Sequence, residues 1–161
     1  MDAAELGWSE FAVAMAGAAA ALAGLIIVAM SVNIDRILKA PSVAARGLSA
    51  IGALVLALAA SCLILIPGQP PWALGVEVLV GAGVLWVLWG YTVRDVRADA
   101  RPGMPALPRL GILALAPAVY TVGGVLLLGS LAGLAWVAAG AILSVVVGVV
   151  VAWIALVEIL R

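Results

Sequence analysis

Apolar residues occur along this chain in five long runs, separated by short segments that contain charged residues, prolines or glycines. A helix that crosses the hydrocarbon core of a bilayer needs about 20 mainly apolar residues. Each run is long enough, so the pattern predicts an all-α protein, a bundle of five transmembrane helices. The predicted spans cover residues 11–30, 48–66, 72–91, 110–128 and 131–157.

The overall composition agrees with this pattern. Hydrophobic residues make up 67% of the chain, and the mean hydropathy is +1.33. Roughly half of the residues are apolar in a soluble globular domain, so a bilayer is the expected solvent. We expect residues 1–161 to form a single transmembrane domain, because five crossings leave almost no chain for a soluble domain.

Charged residues are distributed unevenly between the connections. Three acidic residues and no basic residue precede the first run. The basic residues follow the first run, follow the third run, or close the chain: Arg36, Lys39, Arg46, Arg94, Arg97, Arg101, Arg109 and Arg161. Lys and Arg are enriched in cytoplasmic loops. The distribution therefore predicts an N-terminus outside and a C-terminus inside, in the plasma (inner) membrane.

Capping residues and prolines predict where the helices begin and end. Ser9 suits the N-cap of the first helix, which we expect to continue unbroken to the residue before Pro41. Gly47 is expected to open the second span and Pro71 the third. Pro117 lies inside the fourth span and predicts a bend, because proline removes one backbone hydrogen bond.

Small residues recur on two of the predicted helices. The fifth has them every four residues, at Gly140, Ser144, Gly148 and Ala152. The first has them at Ala12, Ala16, Ala20 and Gly24, with Gly17 one heptad before Gly24. Small side chains let transmembrane helices approach closely. These stripes therefore indicate helix-packing interfaces, either with another protein or within this bundle.

Glu77 is the one ionisable acidic side chain clearly inside an apolar run, about a turn and a half after Trp72. Acids inside membranes are costly and tend to face protein or a watery cavity. One interpretation is a cation or proton site, with Gly81 leaving space beside the carboxylate. The alternative is that Glu77 lies shallow enough to reach the outer interface.

Aromatic residues cluster near the inner end of the third run, at Trp86, Trp89 and Tyr91. Trp and Tyr are enriched at the level of the lipid headgroups. The cluster therefore predicts an interfacial aromatic belt.

Residue types that usually carry out chemistry are scarce. The chain has no histidine and one cysteine, Cys62, so no His or Cys cluster has metal-ligand spacing. No glycine loop of the phosphate-binding kind is present. We expect no enzymatic activity, no cofactor, no metal and no nucleic-acid partner.

Two segments resemble a known group of proteins. They are AGAAAALAGLIIVAMSVNIDRIL, residues 16–38, and LILIPGQ, residues 63–69. Both are similar to small multi-pass membrane proteins of actinobacteria, which are uncharacterised. The resemblance covers the first two helices, and it implies a bacterial membrane protein without implying an activity.

Two functions are compatible with these features. The first is a non-enzymatic accessory, scaffold or assembly subunit, whose small-residue faces contact other membrane-protein subunits or a second copy. The second is a homo-oligomeric cation channel or transporter-like protein, in which copies of Glu77 form an acidic ring.

Overall fold

A computed structural model describes residues 3–37, 41–98 and 106–160, with side chains at 7–35, 37, 43–98 and 110–154. This part of the chain is helical and contains no strand. The six helices are α1 (Ala3–Val32), α2 (Ile34–Ile37), α3 (Pro41–Ile64), α4 (Pro71–Ala98), α5 (Ala106–Leu127) and α6 (Gly133–Leu160).

Five of the helices contain segments long and apolar enough to cross a membrane, which confirms the predicted number. These segments are Gly7–Val32, Val43–Ile64, Pro71–Ala98, Leu110–Leu127 and Gly133–Ile154. Each overlaps one predicted span. The fixed φ of proline suits the first helical turn, and α3 and α4 both begin with proline, at Pro41 and Pro71.

Four helices, α3 to α6, form a closed ring in which each helix packs on the next and α6 returns to α3. Helix α1 lies outside this ring, mainly against α3 and to a smaller extent against α6. It buries a smaller share of its residues than the other four apolar segments. Helix α1 is therefore the helix of the bundle most open to its surroundings.

Contacts between helix ends show that consecutive long helices run in opposite directions. Met30, late in α1, touches Gly47, early in α3. Trp89, late in α4, donates a hydrogen bond to the carbonyl of Leu110, early in α5. Arg46, Arg94 and Arg97 therefore lie at one end of the bundle, here named the basic end. Glu10 and Glu77 lie toward the opposite end.

The interior of the ring is filled mainly by apolar side chains, together with Tyr120 and a few buried hydroxyl residues such as Thr92 and Ser144. The largest side chains with almost no exposure are Tyr120, Leu54, Leu127, Val78 and Val137. They come from all four helices of the ring. The centre of a single copy is therefore a packed core, and it has no polar channel among its described residues.

Glycines bring α4, α5 and α6 into backbone contact near the opposite end. A Cβ atom added to Gly75 of α4 would lie 2.8 Å from the carbonyl oxygen of Gly124 on α5. One added to Gly133 of α6 would overlap the carbonyl oxygen of Gly123. These three helices can pack this closely because side chains are absent at their crossing points.

Two predictions about the limits of the first helix are wrong. Helix α1 already extends upstream of Ser9, so Ser9 does not cap it. It also breaks at Asn33, whose Nδ2 donates to the Ala29 carbonyl at 3.0 Å. Ser31 binds the Ile27 carbonyl in the same way, and such side-chain bonds commonly bend helices. Ile37 of α2, which follows the break, is buried.

Helices α3 and α6 begin close to the predicted starts of their spans. Helix α3 begins at Pro41, upstream of Gly47, and α6 begins at Gly133, two residues after the predicted start at residue 131. Pro117 lies within α5, which continues as one helix from Ala106 to Leu127. The carbonyl four residues before Pro117 has no backbone N–H to accept from that proline.

Candidate functional site

Glu77 lies on the outer surface of α4 and not in the core of the bundle. Its side chain is exposed, and its Oε2 accepts a hydrogen bond of 2.5 Å from Nε2 of Gln69. Gln69 belongs to the connection between α3 and α4, which turns at Gly68 with φ of +73°. The contact joins α4 to the connection that precedes it, at the end of the bundle opposite the basic end.

One interpretation of the sequence had Gly81 leaving space beside the Glu77 carboxylate, and a leucine side chain occupies that space. Leu56 of α3 fills the position where Gly81 lacks a side chain. The buried Oε1 of Gln69 has no hydrogen-bond partner in the described residues. No group of three or more His, Cys, Asp or Glu within the described ranges could hold a metal ion. One copy thus offers one carboxylate and one amide at this point.

The small-residue stripe of α6 is used inside the bundle. The ring of Tyr120 lies over Gly140, 3.0 Å from where a Cβ would be. Leu54 of α3 contacts Gly148 in the same manner. Ser144 is fully buried, with its Oγ 2.8 Å from the Gly140 carbonyl and 3.5 Å from the Tyr120 hydroxyl.

Ala152 completes this stripe and packs against the cluster formed by α1, α3 and α6. The described contacts of the α6 stripe are therefore contacts within the bundle.

The predicted stripe of α1, from Ala12 to Gly24, does not lie on one face of the helix. Ala12 is buried, whereas Gly24 is exposed. A spacing of four residues drifts around a helix by about 40° per step, so the two ends of the predicted stripe point in different directions. Gly17 and Gly24 are both exposed, and no atom lies within 4 Å of a Cβ added to either.

Two more small residues share the exposed face of α1 with Gly17 and Gly24. Small residues at 14, 17, 21 and 24 alternate at three and four residues, and all four are exposed. The buried residues of α1 lie on the opposite side of the helix: Ala12, Ala19, Ala23 and Ile26. We call Ala14, Gly17, Ala21 and Gly24 the α1 outer face.

The aromatic cluster has contacts that its sequence position did not predict. Trp86 donates from Nε1 to Oγ1 of Thr121 at 3.1 Å, and Trp89 donates to the Leu110 carbonyl at 3.0 Å. The two indoles meet edge to face, with ring centroids 5.5 Å apart. They therefore fasten α4 to α5, in addition to any interfacial role.

A buried polar cluster at the basic end was missed by the sequence analysis. Thr92 of α4 is 1% exposed, and its Oγ1 lies 2.7 Å from Oγ of Ser49 on α3. Oγ1 also lies 3.2 Å from the Ala45 carbonyl and 3.0 Å from the Leu88 carbonyl. Hydroxyl residues within two largely apolar helices were the available signal, but sequence spacing does not show that Ser49 and Thr92 face each other.

Arg46, one turn before Ser49, is also buried, with 7% exposure. It borders a cavity of about 50 Å³ whose other walls are apolar residues of α3, α5 and α6. This volume is far below that of a typical ligand pocket, roughly 300–1,000 Å³.

The remaining charged residues near the basic end are only partly described. Asp35 is exposed on α2, away from the core. The side chains of the other basic residues lie outside the described residues: Arg36, Lys39, Arg101, Arg109 and Arg161.

Comparison with known proteins gives no match at any level. No family model matches the chain, and neither the curated proteins nor the solved structures contain a match. The similarity to actinobacterial membrane proteins stays a prediction, and function has to be argued from the geometry.

Proposed function

We propose that this chain is a non-enzymatic, multi-pass plasma-membrane protein that serves as an accessory or scaffold subunit of a larger membrane complex. The observation that carries the proposal is the α1 outer face. It consists of small residues, it points away from the bundle, and it has open space in front of both glycines.

The contrast between the two stripes supports this assignment. Where α6 has small residues, the bundle inserts Tyr120 and Leu54 against them. Lipid tails are as apolar as leucine, so helix association in a bilayer depends on close packing, which small residues permit. An equivalent surface on α1, turned outward, offers the same opportunity to a helix of another protein.

The proposed orientation places the N-terminus outside and the C-terminus in the cytoplasm. The charge distribution supports this orientation. The arginines whose side chains the structure describes lie at the basic end: Arg46, Arg94 and Arg97. Short cytoplasmic connections retain Lys and Arg.

The alternative is a homo-oligomeric cation channel or transporter-like protein that uses Glu77. The exposed position of this carboxylate favours a site between copies, because the centre of one copy is packed with apolar side chains. Rings of acidic side chains select cations in known channels. A second ring from Glu10, which is also exposed toward the opposite end, would extend such a pathway.

The test compares complexes extracted gently from native membranes by mass and subunit composition. The wild-type chain should copurify with a different membrane protein. The double substitution Gly17→Leu with Gly24→Leu should remove that partner, because two leucines prevent close approach. Gly83→Leu is the matched control, since Gly83 is an exposed helical glycine of α4 with equally open space. It should leave the complex intact.

Two outcomes would contradict the accessory role. One is a monomer without any partner, and the other is a symmetric assembly of this chain alone. The second outcome would favour the channel, which is then tested with Glu77→Gln in liposomes. Loss of cation flux would support the acidic ring, whereas unchanged flux would reject it.

A further inference from the structure

A lateral groove lies at the basic end between α2, α3 and α4, and no part of the proposed accessory role uses it. Its volume is about 430 Å³, within the usual range for small-molecule sites of roughly 300–1,000 Å³. Its walls include Ile37, Leu48, Leu88, Tyr91, Thr92 and Asp95. We call it the α3–α4 groove.

The groove opens sideways, away from the bundle axis. Leu48 and Tyr91 on its walls are 55% and 60% exposed. Thr92, in contrast, is buried, and its hydroxyl already contacts Ser49 and the carbonyls of Ala45 and Leu88. Thr92 therefore belongs to the packing of the bundle and has little left to offer a ligand.

Asp95 is the ionisable side chain of the groove, and it is half-buried. Within the part of the chain that the structure describes, its carboxylate takes part in no ion pair or hydrogen bond. Asp95 follows Tyr91 by four residues, which places the two side chains one above the other on α4. A carboxylate and an aromatic ring are thus adjacent at the mouth of an otherwise apolar groove.

This combination fits a cation attached to an apolar body. An ammonium group is attracted to a carboxylate, and it is also attracted to the face of a tyrosine ring. Alkyl chains fit against Leu48, Leu88 and Ile37. An anionic head would be repelled by Asp95, because the described residues that line the groove include no basic side chain.

We propose that the α3–α4 groove binds an aminophospholipid of the phosphatidylethanolamine type, with its ammonium group between Asp95 and Tyr91 and an acyl chain along the groove. The apolar walls and the carboxylate beside an aromatic ring together indicate a lipid, because the groove opens sideways at the level expected for headgroups. The proposal requires only that the helices cross a bilayer, and it holds whether or not the chain is an accessory subunit.

The test is a lipid competition on the full-length protein in detergent, followed by native mass spectrometry. Phosphatidylethanolamine and phosphatidylglycerol with identical acyl chains differ in the group that Asp95 would recognise. The wild-type protein should retain the ethanolamine lipid about fivefold better, the preference expected when a carboxylate contact and a cation–π contact together contribute about 1 kcal/mol.

Two substitutions address the two parts of the groove. Asp95→Asn should abolish the preference by removing the charge, and Leu48→Trp should abolish it by filling the groove while keeping the charge. Asp35→Asn is the matched control, because Asp35 is an exposed acid near the same end, outside the groove. It should retain the preference.

Thermal unfolding of each variant in the same detergent shows whether the fold is kept. Equal retention of the two lipids by the wild-type protein would overturn the proposal. So would an unchanged preference in Asp95→Asn, or loss of the preference in Asp35→Asn alone.

Discussion

At the scale of single residues, the same amino acid has opposite consequences according to the direction in which its helix presents it. Gly140 faces the ring of Tyr120, whereas Gly83 faces open space. Replacing Gly140 with leucine forces a rigid aromatic side chain to move inside a packed core. We expect a loss of stability of about 1–3 kcal/mol, measured as a lower unfolding temperature in detergent.

Gly83→Leu is the control for that substitution, and it should leave the unfolding temperature almost unchanged. If both leucine variants unfold at the wild-type temperature, the placement of Tyr120 against Gly140 is wrong. The comparison separates a packing glycine from a glycine that only lowers helix propensity.

At the scale of helices, the contact between α4 and α5 depends on glycine at its closest point. A methyl group on Gly75 would lie 2.8 Å from the Gly124 carbonyl oxygen. Backbone cannot yield as a flexible side chain can, so Gly75→Ala should destabilise the bundle by about 1–3 kcal/mol. Chemical denaturation in mixed detergent micelles measures this change.

Gly90→Ala on the same helix should have the opposite sign. Gly90 has no atom within 4 Å of an added Cβ, and alanine is the better helix former by up to about 1 kcal/mol. A neutral or stabilising effect is therefore expected. Equal losses for the two alanine variants would show that helix propensity, and not the α4–α5 approach, governs both positions.

At the scale of the whole molecule, antiparallel packing collects the described arginines at one end and Glu10 and Glu77 toward the other. In the proposed orientation, Glu10 lies outside the cell and Arg97 lies inside. After Cys62 is replaced by alanine, a cysteine at position 10 should react with a membrane-impermeant thiol reagent in intact cells. A cysteine at position 97 should react only after the membrane is opened.

Labelling of position 97 in intact cells would reverse this topology and place the α3–α4 groove in the outer leaflet. Labelling of both positions would show that the chain inserts in two orientations. Both outcomes are distinguishable from a folding failure, because each variant can be labelled completely after solubilisation.

The sequence alone was sufficient for the number and approximate limits of the five apolar helices. Run length and the positions of proline are local properties, and a bilayer-spanning helix satisfies its own backbone hydrogen bonds. The segregation of basic residues was also readable from the sequence, because it depends only on which connection carries each charge.

Tertiary structure decided which face each helix turns inward. In these helices apolar residues occur on every side, so hydrophobic patterning does not set the rotation about the helix axis, as it does in an amphipathic helix. Packing set it instead: Tyr120 and Leu54 occupied the α6 stripe, while Gly17 and Gly24 were left outside. The same packing placed Glu77 beside Gln69 and brought Thr92 to Ser49. These contacts join distant parts of the chain, and their formation depends on shape complementarity between whole helices.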